Sequence, residues 1–188
     1  MLKNFSNWLK SKINESSNST YEYGCAMLYY DLPQINELHS TIALEDIYTE
    51  EGDQTYGLED EPHTTLLYGF HSDVDPHQVL DTCEQHKFSD LKLINPSCFN
   101  SEKYDVLKFD VAYPTRGGAF LHKCNSELTK YPHTTNFPDY HPHCTIAYIK
   151  KGKGQHYADL FNDKSYLVTP NKLVYSMANG GRVERQLS

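Results

Sequence analysis

Pro62-His63-Thr64-Thr65-Leu66-Leu67-Tyr68 returns 80 residues later, counted from His63 to His143, as Pro142-His143-Cys144-Thr145-Ile146-Ala147-Tyr148. Each copy is His-x-Thr running straight into an apolar stretch. A short apolar run opened by a turn residue reads as a buried strand. A strand puts residues i and i+2 on one face. Each copy therefore presents an imidazole and a hydroxyl side by side, pointing the same way. Two imidazoles can divide acid and base duty, and two hydroxyls can hold an anion between them.

The bulk numbers bound what surrounds this pair. At 188 residues, one domain or one two-lobed domain is expected. The hydrophobic share is 38%, enough for a core when helped by 15 Tyr and 8 Phe. The formal net charge is −8, and the densest basic spot is Lys150-Lys151-Gly152-Lys153. That argues against long nucleic acid as a partner, because such binding is mostly electrostatic. A small anion in a cleft stays compatible. Five cysteines, an odd number without a CxxC pair, and no secretory apolar segment point to unpaired thiols in a reducing cytoplasm. No apolar stretch is long enough to cross a membrane, so no membrane partner is expected.

Along the chain, Leu2, Phe5, Leu9 and Ile13 fall at helical spacing, and residues 15–20 read as a linker. The expected organisation is therefore an N-terminal helix and linker over 1–20 and one two-lobed domain over 21–188. Tyr21 to Asp31 predicts a first strand. Pro33 opens a helix whose stripe of Ile35, Leu38, Ile42 and Ala43 runs to about residue 47. After an acidic loop, His63 to Phe70 is the first motif strand. Asp75-Pro76 is an N-cap followed by Pro at the first helical position, with Val79, Leu80 and Cys83 on one side. Strands are expected near 90–99 and 104–113, then a helix carrying Phe120, Leu121, Cys124 and Leu128. Tyr131–Pro142 is a loop, and His143 to Ile149 is the second motif strand. A short helix near 155–162, a last strand over 165–175 and a short edge strand from Val183 to Leu187 complete the chain. Mixed strands and helices in this order give α+β.

Two His-x-Thr motifs with matched flanks resemble the 2H phosphoesterase superfamily, over about residues 21 to 176. The resemblance implies two pseudo-symmetric lobes of antiparallel sheet backed by helices, with a central cleft. It implies a hydrolase whose catalytic positions fall on His63, Thr65, His143 and Thr145. Leu38-His39-Ser40, Glu45-Asp46-Ile47-Tyr48 and Glu61-Pro62-His63 further resemble the phage anti-CBASS phosphodiesterases, which destroy cyclic oligonucleotide messengers of a bacterial immune system. That implies a small cyclic di- or trinucleotide as substrate, and the host cytoplasm as the location.

A 3′–5′ phosphodiester of a ribonucleotide carries its own nucleophile, the 2′-hydroxyl. One His can take that proton while the other protonates the departing 5′-oxygen, and the motifs do not say which does which. No carboxylate cluster has metal-site spacing, so neither metal nor other cofactor is expected. His141 and His143 form a His-x-His pair without a second ligand pair. His133-Thr134-Thr135 is followed by no apolar strand and reads as loop. Tyr29 and Tyr30 end the first strand, and alternation lets only one face the cleft as a platform for a base; Tyr30 is the one favoured, with an ordinary half-buried tyrosine as the alternative. Tyr68, Tyr148 and Cys144 fall on the opposite parity and read as packing. Arg116, Lys150, Lys151 and Arg182 read as solvated cations, with phosphate contact as the alternative. Two other functions fit the same motifs: a 2′,3′-cyclic phosphodiesterase acting on RNA ends, and a protein that sequesters cyclic nucleotides without cutting them.

Overall fold

A computed structural model of the chain describes residues 23–51, 56–114, 119–135 and 139–187. The expected helix over 1–14 and the linker over 15–20 lie outside the described residues. The strands are β1 (Gly24–Tyr30), β2 (His63–Phe70), β3 (Leu91–Asn100), β4 (Tyr104–Ala112), β5 (His143–Lys150), β6 (Tyr166–Val168), β7 (Pro170–Ser176) and β8 (Arg182–Gln186). The helices are α1 (Ile35–Ser40), α2 (Pro76–Glu84), α3 (Phe120–Leu128) and α4 (Gly154–Leu160). They support two antiparallel sheets of four strands, β2-β1-β7-β8 and β5-β4-β3-β6. The α+β architecture is the one expected, with one motif strand at the edge of each sheet.

Local chemistry explains most element ends. Asp75 accepts the His77 backbone N–H at 2.8 Å and Pro76 begins α2, as its sequence implied. The first helix is shorter than its apolar stripe. Ser40 Oγ and Thr41 Oγ1 each donate at 2.7 Å to carbonyls of the last turn, of Glu37 and Leu38, and Ala43 is extended. Hydroxyls that bond local carbonyls compete with helix continuation. Only a single 3₁₀ turn, Leu44–Asp46, follows.

The strand expected over 165–175 is two strands in different sheets. β6 pairs with β3, and β7 pairs with β1. The break falls at Thr169, whose hydroxyl donates to Asp90 at 2.7 Å, ahead of Pro170, which has no N–H to give a ladder. One short run of chain thus serves both lobes.

A second link passes behind the first motif. Glu59 N–H donates to the Ile146 carbonyl at 3.0 Å, Tyr148 N–H to Gly57 at 2.8 Å, and Tyr48 N–H to Tyr148 at 2.9 Å. This segment covers the open edge of β5 and then runs directly into β2. The core is continuous across both sheets: Leu28, Leu66 and Leu173 from one join Leu93, Leu107, Phe109 and Ile146 from the other, all fully buried. α2 and α3 add Val79, Leu80, Leu121 and Leu128. All five cysteines are free thiols. Among the described residues, no helix is long and apolar enough to cross a membrane.

Candidate active site

His63 begins β2 at the point where register sets it opposite Tyr29 of β1. Its Nδ1–H donates to the Glu61 carbonyl at 2.8 Å. Because a carbonyl only accepts, that bond fixes the proton on Nδ1 and leaves Nε2 free. The imidazole stacks on the Tyr29 ring, centroids 5.0 Å apart. Two cations lie over that ring, Lys172 Nζ and the Arg182 guanidinium, each 5.0 Å from its centroid. Arg182 bridges Glu61 at 3.2 Å and Glu184 at 2.7 Å, and Lys172 reaches Glu184 at 3.4 Å. The backbone that orients His63 is therefore held by a side chain from the far edge of the sheet.

His143 begins β5 in the same way. Its Nδ1–H donates to the His141 carbonyl at 2.8 Å, again two residues back. The Phe99 ring meets the imidazole edge to face, centroids 4.9 Å apart. Lys108 Nζ sits 4.8 Å from the Phe99 centroid and is ion-paired with Asp110. Register pairs Asp110 with His143 and Lys108 with Thr145, so these four share one face of the second sheet. Lys108 is only 6% exposed, a charge kept inside by its partners.

Each lobe thus repeats one arrangement: an imidazole tied through Nδ1, an aromatic ring against it, and a cation against the ring. The two halves meet. The charge on His63 is among the influences that lower the His143 pKa, after burial, which is the largest, and Lys108. The Cys144 thiol also contacts the His63 backbone. The His63 pKa is lowered as well, first by burial, while the Glu61 carbonyl and carboxylate oppose and Arg182 adds. Burial pushes the nearby Glu59 carboxyl up to about 8. Its Oε1 accepts the Glu61 N–H at 3.0 Å.

Thr65 lies on the His63 face of β2, opposite Met27 and in contact with the Cys25 thiol. Thr145 lies on the His143 face of β5. Both are half-buried. Tyr30 does not join them, and its assignment to the cleft is corrected here. It is 2% exposed, and its hydroxyl shares a 3.0 Å hydrogen bond with Thr64 in the core. Tyr29 has the cleft-side parity. Alternation says that two adjacent tyrosines face opposite ways; the pairing of Tyr29 with His63 decides which is which.

Lys150 ends β5, about 23 Å from His143 at the rise of a strand, and bonds the Glu45 carbonyl. Lys151 binds the Ser101 carbonyl. Neither reaches the site, and Arg116 lies outside the described residues. The third His-x-Thr is loop, as its sequence implied: Thr134 N–H donates to Gly69 at 2.9 Å, extending the end of β2. Among the described residues, no three His, Cys, Asp or Glu side chains gather in a way that could hold a metal ion. Sequence reasoning missed Phe99, Lys108 and Lys172, and of the two adjacent tyrosines it favoured Tyr30 over Tyr29. Only register brings them to the imidazoles.

No family model matches the sequence, and no curated protein does. The fold is similar to that of Usb1 from Kluyveromyces marxianus, with a TM-score of 0.57 at 10% identity, covering 90% of this chain and 100% of that one. E. coli LigT complexed with 3′-AMP aligns with a TM-score of 0.49 at 17% identity, over 89% of this chain and 97% of that one. The likeness to Usb1 concerns the fold alone: two antiparallel sheets backed by helices in an α+β arrangement.

Proposed function

We propose that this chain is a metal-independent phosphodiesterase of the 2H phosphoesterase type, acting on 3′–5′ bonds of small cyclic ribonucleotides. The observation that carries the reading is the matched pair of imidazoles. Each has Nδ1–H committed to a carbonyl, each leaves Nε2 for substrate, and the two lie within electrostatic reach of one another. One Nε2 takes the proton of the ribose 2′-hydroxyl as that oxygen attacks phosphorus. The other, protonated, gives its proton to the 5′-oxygen as the P–O bond breaks. The product at that bond is a 2′,3′-cyclic phosphate, and water opens it with the two roles exchanged. Neither imidazole is dedicated to one duty over both steps. The hydroxyls of Thr65 and Thr145 donate to the non-bridging oxygens, with the Lys108 ammonium beside Thr145.

The net charge of −8 supports a small substrate over a long polyanion. The stretches that resemble the phage anti-CBASS enzymes support cyclic di- or trinucleotide immune messengers as the substrates, and a host cytoplasm as the setting.

Incubation with a cyclic dinucleotide, a cyclic trinucleotide and a 2′,3′-cyclic mononucleotide in excess EDTA, with products resolved by chromatography, tests this reading. Turnover of a cyclic oligonucleotide is expected, lowered at least about 10²-fold by His63→Ala and by His143→Ala. Turnover of the mononucleotide alone assigns the chain to RNA ends, and binding without turnover makes it a sequestering protein. Activity lost in EDTA and restored by zinc or manganese overturns metal independence.

A further inference from the structure

Beside the His63 end of the first sheet lies a cavity of about 570 Å³, within the size range of small-molecule sites. It is bounded where β1 leaves the sheet, where the chain enters β2, and where β7 begins. Its polar lining is Asp31, Asp60, Glu61, Asn171, Lys172 and Gln186. Three carboxylates against one ammonium make it hostile to a phosphate. Lys172 is already paired with Glu184, Glu61 with Arg182, and Asp60 with His39 at 3.7 Å. The Asp31, Asn171 and Gln186 side chains make no hydrogen bond to the described residues and are free for a ligand. Leu32 and Pro33 supply an apolar wall. Tyr29 also borders the cavity while its ring stacks on His63 under the two cations, so the cavity and the first imidazole share one wall.

We propose that this cavity is a nucleobase subsite for a base bearing an exocyclic amino group, with the attached phosphodiester reaching the His63–His143 pair. The inference rests on the phosphodiesterase reading for the role of that phosphate. A carboxylate only accepts hydrogen bonds, so Asp31 matches the amino group of adenine, cytosine or guanine. The amides of Asn171 and Gln186 both donate and accept, and complete a base edge that offers both. Uracil turns a carbonyl where cytosine turns an amine. Carbonyl against carboxylate leaves two acceptors facing with no proton between them, and a site built to bond one group rejects the analogue lacking it.

Cytidine and uridine monophosphate isolate that one difference. Equilibrium binding of each to the full chain is expected to favour CMP over UMP by about tenfold or more. Asp31→Asn keeps size and shape while adding a donor, and should bring the ratio close to one by weakening CMP. Equal affinity for CMP and UMP in the unmodified chain overturns the subsite, as does a ratio that Asp31→Asn and Asn171→Ala both leave unchanged. Turnover of cyclic dinucleotides alongside equal CMP and UMP affinity sinks the subsite and leaves the phosphodiesterase standing. A CMP preference abolished by Asp31→Asn, without turnover of any phosphodiester, upholds the pocket and sinks the phosphodiesterase.

Discussion

Both imidazoles are pushed below their ordinary value of 6.5, each first by burial. Acid–base catalysis by the pair needs one ring protonated and one neutral, so the rate peaks between their two values. The optimum of kcat/KM should therefore lie on the acid side of pH 6.5, with activity falling as pH rises through neutrality. Lys108 is the nearest test of this, because its charge lowers the His143 value and its loss leaves Asp110 to raise it. In Lys108→Met the limb of the pH–rate profile that His143 governs should move upward, and KM should rise with loss of the cation beside Thr145. A limb that stays put or moves down contradicts the assignment. The four motif residues are legible in the sequence because a spacing of two on one strand is local information. Lys108, Phe99, Tyr29 and Lys172 are not, because each reaches its imidazole through strand pairing. The same gap explains Tyr30: its parity relative to His63 depends on which residue of β1 register sets opposite the motif.

At the scale of elements, β8 is a small edge strand with a large share in the site. Arg182 reaches from it to Glu61, whose carbonyl fixes the His63 tautomer, and to Tyr29, on which His63 stacks. On the proposed phosphodiesterase reading, Arg182 is thus a positioning residue. Arg182→Gln should lower kcat by about tenfold with a smaller effect on KM, since a misplaced catalytic group costs rate before it costs binding. Its charge also lowers the His63 value, so the variant should shift the His63 limb of the pH profile upward. A merely structural role would change stability and leave that limb in place. The edge strand itself was expected over Val183 to Leu187, but the reach of Arg182 at its start was not. The division of 165–175 between two sheets was not read either: Pro170 interrupts the run in the sequence, but the Thr169–Asp90 bond and the pairing of each half with a different sheet are tertiary facts. The first helix was read too long because hydrophobic spacing says nothing of hydroxyls that terminate it.

One hydrophobic core passes through both sheets, and two stretches of chain, 57–63 and 166–170, tie the lobes together. A site shared by two lobes demands this, since motion between them would separate the imidazoles. With the large core shared by both sheets, unfolding is expected as one cooperative event, so a charge buried in the site is felt in the stability of the whole molecule. Glu59 and the two histidines act in opposite senses. The Glu59 value is raised by burial from 4.5 to about 8, against the pull of the Glu61 N–H and Arg182. Between those pH values the folded chain keeps a proton that the unfolded chain has lost, so this group's contribution falls as pH rises through the window. His63 and His143 are lowered, so their contribution is present above 6.5 and is lost as pH falls toward their folded values. Glu59→Gln keeps the acceptor for the Glu61 N–H and removes the titration. Relative to the unmodified chain it should melt at a higher temperature at pH 8 and show a clearly smaller gain at pH 5. Melting curves followed by circular dichroism at the two pH values decide it. A gain that is equal at both, or larger at pH 5, would show that Glu59 is ionised in the folded protein.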